Sequence, residues 1–344
     1  MKLISFQSLD SFPRAGLLLG NAAIDLAAAA PLAFEQVEDE RWTLLDVLRG
    51  APDEMGLDGV AEIAAAVLDQ IGIGDVDELA QQSDQLLDDL GGLSIGGAAM
   101  LMPLSAIRLL APLPQPTSLR DFYAFEQHVS SVATNRGRKV PEAWYDLPAF
   151  YFGNHMAIYG PDSSIPMPRT EELDYELEVA CIIGRTGRDI AEEDAMDYVA
   201  GLTILNDWSA RDIQQREMSI GLGPAKGKDF ATSLGPYLVT LDELESFALF
   251  DGRYDLSMIA RVNGEERSRG TLRSIYYTFG QIIAHASRDC TLVPGDVIAS
   301  GTVGTGCLLE LTAGYGPWLE PEDIVELEVT GLGMLRNRIV QPWS

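Results

Sequence analysis

Lysine is nearly missing from this chain of 344 residues. There are four of them, and with the arginines they make 24 basic side chains against 52 acidic ones, a formal charge of -28 at pH 7. Nucleic acid and anionic membranes bind through clustered basic residues that release counterions, and no basic stripe exists here, so neither is expected as a partner. Cysteine is scarce too. Cys181, Cys290 and Cys307 are odd in number, widely spaced and set beside apolar residues, which signals neither a disulfide framework nor a zinc site and fits buried free thiols. No stretch approaches the ~18 to 20 uninterrupted apolar residues of a membrane span. The opening Met1-Lys2-Leu3-Ile4-Ser5-Phe6-Gln7 turns polar too soon for a secretory signal. A soluble, cytoplasmic protein is the expectation.

With 47% apolar residues the chain can bury a sizeable core, and its length suggests two units, or one large unit with an appendage. The segment from Leu109 to Ser118 holds three prolines in five residues and favours extended chain. A boundary near 112 to 118 follows, giving a small domain over 1–112 and a larger one over 113–344. In the first, short strands are expected at Ala15 to Leu19 and Ala23 to Leu26. Val60, Ile63, Ala64, Val67, Leu68 and Ile71 repeat at helical spacing, and Leu79, Leu86, Leu87 and Leu90 suggest a second helix. In the second, apolar runs predict strands at 178–183, 200–205, 237–241, 257–262, 297–300, 308–311 and 324–329, with helices chiefly at 119–134, 191–199, 209–217 and 273–287. The pattern is that of an α+β, β-rich fold.

Several polar clusters stand out against this background. Glu176 and Glu178 lie in Leu173-Asp174-Tyr175-Glu176-Leu177-Glu178-Val179-Ala180. A strand puts i and i+2 on one face, so both carboxylates point one way while Leu177 and Val179 point into apolar packing. Two like charges that close are unfavourable unless solvent or a cation lies between them. A solvated strand face and a metal site both satisfy that condition. Asp207 follows an apolar run and precedes Ser209-Ala210-Arg211-Asp212-Ile213-Gln214, where Ser209 can cap a helix; an acid at the exit of a buried strand either serves a site there or holds a turn. Asp121 and His128 are seven residues apart in an expected helix, hence on one face and roughly 10 Å apart along its axis. That spacing lets the Asp bind a metal while the His handles water or substrate, although a lone helical His is commonly structural. His155 and His285 have no such company. Lys226 and Lys228 share the glycine-rich stretch Gly221-Leu222-Gly223-Pro224-Ala225-Lys226-Gly227-Lys228, which lacks the spacing and trailing Ser or Thr of a phosphate loop. A lysine there either holds local acids or stabilises an enolate or oxyanion. The glycines of 301–306 allow close backbone approach to a ligand, and Glu310 follows them.

Taken in order, these clusters resemble the fumarylacetoacetate hydrolase family across residues 113 to 340. The motifs are Asp121-Phe122-Tyr123 with His128, Leu173-Asp174-x-Glu176-Leu177-Glu178, Asn206-Asp207-Trp208-Ser209-Ala210-Arg211-Asp212, Gly227-Lys228-x-Phe230, and Gly301-Thr302 with Leu309-Glu310. The resemblance implies a mixed β-roll or sandwich catalytic domain preceded by a small barrel-like N-terminal domain with a helical insertion. It implies that Asp121, Glu176, Glu178 and Asp207 ligate one divalent ion. All-oxygen ligation suits Mg2+ first, or Ca2+ or Mn2+, and disfavours zinc. His128 paired with Glu310 would be the general base for water, and Lys228 would support developing negative charge. Tyr123, Tyr151, Arg211, Gln214 and Thr302 would line the substrate site. The implied reaction is hydrolysis of a carbon-carbon bond in a β-diketone acid or acylpyruvate, by a homodimer. Met218 departs from the family pattern, which has a tyrosine there, and the arginine expected after His128 has only Arg136 and Arg138 as candidates.

Two other readings use the same residues. A 2-oxoacid decarboxylase, hydratase or isomerase would share the metal and enolate chemistry without needing activated water for simple decarboxylation. A non-catalytic, acidic cation-binding protein would lose no activity on replacement of His128.

Overall fold

Apolar runs buried on both faces form most strands of the larger sheet. In this computed structural model residues 1–8, 12–35, 41–52, 54–72, 93–95, 98–135 and 137–341 are described. The helix expected over Leu79 to Leu90, and Arg136, lie outside them. In chain order the elements that matter are β1 (Lys2–Gln7), β2 (Arg14–Leu19), β3 (Ala22–Asp25), α1 (Leu57–Ile71) and β4 (Ala98–Pro103). Past the proline-rich connector come β5 (Ser118–Phe122), α2 (Glu126–Asn135), β6 (Leu177–Ile183), β7 (Val199–Asp207), α3 (Arg211–Ser219) and β8 (Thr232–Val239). They are followed by α4 (Phe279–Ser287), β9 (Asp296–Ala299) and α5, one turn at Leu308–Leu311. α1 buries Val60, Ile63, Ala64, Val67 and Leu68 as their spacing predicts, and stops at Gly72, whose φ of 73° is the left-handed turn that ends helices.

One open sheet carries, as consecutive neighbours, β4, β3, β2, β1, β8, β7, β6, β9 and β5, and no barrel closes among the described residues. The strands before the connector thus continue the sheet that carries the later ones, through β1 against β8 with Leu3 opposite Leu238. A second sheet has Ser257–Val262 next to Glu265–Thr271 on one side and Ile324–Val329 and Gly333–Val340 on the other. Strand β6 is buried at every position. Its Leu177, Val179, Cys181 and Ile183 pack with Met258, Ala260 and Leu327 of the second sheet. Ala180 and Ile182 pack the other way, with Leu44, Val60, Ile63 and Val67. The result is an α+β, strand-rich layering, as the sequence pattern indicates.

Three local expectations are corrected. Asp121 is a strand residue: β5 pairs in parallel with β9, Asp121 opposite Ala299, and the helix begins only at Glu126. Phe122, Ala124 and Phe125, all buried, hold the link between them as part of the core, so Asp121 and His128 do not share a helix. Leu308–Leu311 is a helical turn and no strand, because the Asp174 carboxylate accepts the Leu308 and Leu309 N–H groups at 2.8 and 3.0 Å and caps it. Ser209 does not cap α3; its hydroxyl donates to the Asp207 carbonyl at 3.0 Å, in a short strand paired with Leu173–Asp174. The helix starts from Ala210 with no side-chain cap.

Candidate active site

The sheet topology gathers the acidic residues at one edge. β6 runs antiparallel to β7 and β9, and β9 parallel to β5, so the start of β6 meets the ends of the other three. Glu176 just before β6, Glu178 at its start, Asp207 at the end of β7 and Asp121 near the end of β5 therefore converge, all nearly solvent-free. Single carboxylate oxygens of Asp121, Glu176 and Glu178 lie within 4.8 Å of one another. Lys228 Nζ reaches Glu176 Oε2 at 2.5 Å and also bonds Asp207 Oδ2, which accepts the Tyr151 hydroxyl at 2.5 Å. Gly227 makes this approach possible, since a Cβ there would lie 2.8 Å from the Gln214 backbone. Lys226, by contrast, is exposed and pairs with Asp229 at 2.9 Å.

Glu178 is held from the loop after β9. The Gly301 N–H donates to its Oε2 at 3.1 Å and the Thr302 hydroxyl to its Oε1 at 3.3 Å. Gly301 has a φ of 80° and a Cβ there would sit 2.3 Å from the Phe122 carbonyl, so only glycine fits. Across the cleft, His128 Nδ1 lies 2.5 Å from Glu310 Oε1, while Glu310 Oε2 accepts the Thr305 N–H at 3.1 Å. Arg211 spans the middle: Nη1 meets Glu176 Oε1 at 2.7 Å and donates to Gln214 Oε1 at 3.1 Å, and Nε donates to Asp174 Oδ2 at 2.9 Å. The Tyr123 ring meets the His128 ring edge-on, centroids 5.4 Å apart. Lys226 and Arg138 are exposed and stay apart, whereas the four acidic candidates, His128, Glu310, Lys228, Tyr123, Tyr151, Arg211, Gln214 and Thr302 are thus brought to one site. Most of them line a single cleft of about 230 Å³, and the two that do not, Asp207 and Glu310, are joined to it through Lys228 and His128.

The electrostatics are those of a crowded acidic site. Burial pushes the Asp121 and Glu178 carboxyls well above the ordinary range, and the charges of neighbouring carboxylates push the same way. Asp207 is also raised, by burial that its contact with Lys228 only partly offsets. Burial opposes ionisation of Glu176 as well, but Lys228 and Arg211 outweigh it and hold that carboxyl below its usual value. On Glu310 burial is outweighed by the His128 hydrogen bond, so its carboxyl is lowered. Two cations, Lys228 and Arg211, face five buried carboxylates, Asp174 included. Asp121 Oδ1 is buried and has no hydrogen-bond partner. Such an orphan acceptor is costly, and it belongs to the carboxylate that closes the acidic cluster with Glu176 and Glu178. The donor set fits a hard divalent cation.

Sequence reasoning passed over Asp174 as a site residue. It is completely buried, neutralises Arg211 and caps the turn that carries Glu310, so it ties the acidic cluster to the His128 pair. The signal was present, because Asp174-x-Glu176-x-Glu178 continues the alternation by one step. Replacing Asp174 by Asn should destabilise the protein by about 3 to 5 kcal/mol, the cost of breaking a buried ion pair. Denaturant unfolding with an unchanged m-value would measure it; a loss under ~1 kcal/mol would show that the pair is not the anchor.

These features coincide with a defined family. Residues 117–340 match the model of the fumarylacetoacetate (FAA) hydrolase C-terminal domain, and the chain belongs to that family. It is 31% identical over 262 residues to the fumarylacetoacetase of Oryza sativa subsp. japonica, covering 62% of this chain and 61% of that protein. It is 29% identical over 269 residues to the oxaloacetate tautomerase YisK of Bacillus subtilis, covering 76% of this chain and 80% of the relative. In structure it is similar to the fumarylacetoacetate hydrolase of psychrophilic Exiguobacterium antarcticum, with a TM-score of 0.67, 25% identity and 99% of both chains covered. The chain spans less than two thirds of the plant fumarylacetoacetases it matches, 61% and 57% of their length. Hydrolases and tautomerases both occur among these relatives, so family membership leaves the reaction to the site.

No helix among the described residues is long and apolar enough to cross a membrane.

Proposed function

We propose that this protein is a divalent-metal-dependent hydrolase that cleaves a carbon-carbon bond in an acylpyruvate or related β-diketone acid. The observation that carries the reading is the pairing, in one cleft, of a cation-deficient cluster of acidic oxygens with a buried His128–Glu310 couple. Asp121, Glu176, Glu178 and Asp207 would hold the ion, Mg2+ before Mn2+ or Ca2+. Once bound, it would polarise the dicarbonyl oxygens and favour enolate departure.

The chain's own groups supply the rest. With Nδ1–H directed at Glu310, Nε2 of His128 is the basic nitrogen and takes a proton from water. The hydroxyl adds to the carbonyl carbon distal to the carboxylate. The adjacent carbon-carbon bond then breaks, its electron pair passing to the methylene carbon, which regains the proton from His128. The Lys228 ammonium, kept charged by Asp207 and Glu176, offsets the negative charge that develops. Arg211, Gln214, Tyr123, Tyr151 and Thr302 orient the substrate. A decarboxylase, hydratase or isomerase would use the same acidic oxygens, but simple decarboxylation has no use for the buried base.

Acylpyruvates, fumarylacetoacetate-like diketones and oxaloacetate, assayed with Mg2+ and with chelator, test the reading. Cleavage of a diketo acid to two acids, lost on chelation, is expected. Turnover of oxaloacetate alone would favour the second reaction class, and no turnover of any member would leave the non-catalytic reading. The resemblance also supports a homodimer, and light scattering at about twice the 37.4 kDa chain mass tests it.

A further inference from the structure

A second set of metal-binding groups lies across the cleft from the acidic floor and differs from it in chemistry. One ligand atom each from His128, Cys307 and Glu310 falls within 4.8 Å of the other two. His128 Nδ1 at 2.5 Å and Cys307 Sγ at 3.8 Å bear on the same oxygen, Glu310 Oε1. The other oxygen of that carboxylate accepts the Thr305 N–H at 3.1 Å, which leaves Oε1 to face the thiol and the imidazole. Local structure holds the three in place. His128 projects from the first turn of α2, and Cys307 sits directly before α5, where the Leu177 N–H donates to the Gly306 carbonyl at 2.9 Å and ties the incoming chain to the start of β6. Cys307 is fully buried and the side chains of His128 and Glu310 nearly so. The spacing of the cysteines signals no zinc site because the companions of Cys307 are a histidine and a glutamate.

Asp121, Glu176, Glu178 and Asp207 offer oxygen alone, whereas a thiolate, an imidazole and one carboxylate suit a borderline-soft ion such as Zn2+. Their two negative charges match its two positive ones. Tetrahedral zinc with bonds of about 2.0 to 2.3 Å sets its ligand atoms about 3.3 to 3.6 Å apart, so the histidine and carboxylate would part, and the thiol approach, by about 1 Å. The fourth position would go to water from the cleft, which His128 lines.

We propose that His128, Cys307 and Glu310 form a Zn2+ site and that filling it switches the protein off. Burial and the charge of Asp174 push the Cys307 thiol well above its ordinary value, so zinc takes the place of the thiol proton, which leaves to solvent. Zinc likewise takes Nδ1 of His128, and the imidazole proton passes to Nε2. Nε2 then has no lone pair to accept a proton from water. The acidic floor is left to its own ion. The switch rests on the hydrolase reading, in which His128 is the base; the zinc site does not.

X-ray absorption at zinc, with one equivalent of Zn2+ added to protein saturated with Mg2+, tests the site. One sulfur at about 2.3 Å, with nitrogen and oxygen at about 2.0 to 2.2 Å, is expected. A shell without sulfur overturns the proposal. Co2+ in place of zinc should give a thiolate-to-metal charge-transfer band that Cys307→Ser and Cys307→Ala both abolish; a band that persists in both comes from Cys181 or Cys290 and overturns it as well. In turnover of a diketo acid by Mg2+-saturated protein, Zn2+ should suppress the rate. Relative to its own zinc-free rate, each Cys307 variant should need at least about tenfold more zinc for half-inhibition. Equal zinc sensitivity overturns the switch. Sulfur in the shell with undiminished turnover upholds the site and removes His128 as the base, while absence of turnover under every condition fails the hydrolase reading alone.

Discussion

His128→Asn should lower kcat by about two to four orders of magnitude, the usual contribution of a positioned general base, while divalent affinity stays close to that of the unaltered protein. Asparagine keeps a donor toward Glu310 but has no group that takes a proton from water near neutral pH. Glu310→Gln should cost nearly as much alone, and the double variant little more than either, since the two side chains act as one unit through their 2.5 Å contact. Steady-state rates with a diketo acid, together with titration of Mn2+ into each variant, provide the check. Unchanged kcat in His128→Asn would remove water activation from the mechanism. A joint loss of rate and metal affinity would move His128 into the ligand set.

Glu178→Gln should have opposite effects on the metal-free and metal-loaded protein. The introduced amide keeps its oxygen for the Gly301 N–H and presents its NH2 to the Thr302 hydroxyl, which turns to accept, but it loses the charge that a cation requires. Divalent affinity should drop by more than the ~10 to 100-fold typical of changes behind the ligands themselves, as measured by calorimetry. The metal-free variant should nevertheless melt higher than the metal-free parent. Because the Glu178 carboxyl is raised in the folded state above its ordinary 4.5, the fold holds its proton more tightly than the unfolded chain does. Stability from that source is present at low pH and is lost as pH rises through the raised value; Asp121 acts with the same sign. The metal-free parent should thus lose stability from about pH 4.5 toward neutrality, and the glutamine variant should lose less. A saturating divalent ion at 100 times its Kd adds about 2.7 kcal/mol to the parent and should add little to the variant. Equal calorimetric affinities would remove Glu178 from the ligand set.

Much of this site was legible because its residues sit on strands with strict alternation. Leu177 and Val179 facing one way and Glu178 the other follows from a period of two, and β6 obeys it through Ile183. The helical spacing of Val60 to Leu68 was equally readable. What periodicity could not show was tertiary. Residues 118–122 are acceptable in a helix taken alone, and pairing with β9, far away in sequence, makes them a strand. Likewise Leu308–Leu311 is apolar enough for a strand, and a carboxylate 134 residues earlier turns it into a helix start. Even the two lysines, equivalent in sequence, are separated by burial: Lys228 enters the acidic cluster and Lys226 stays in solvent.

The sheet that joins β1 to β8 also sets an order of events in time. Leu3 finds its partner Leu238 only after more than two hundred intervening residues have been synthesised, so the first strand spends that interval without its neighbour on that side. Closing so long a loop is slow compared with forming α1 or the β2–β3 hairpin, and until it closes an apolar strand edge is open to wrong partners. Glu310 arrives later still. The acidic floor also waits for β9, which joins β5 to β6, and for Gly301 and Thr302, so the cleft becomes competent only when nearly the whole chain is in place.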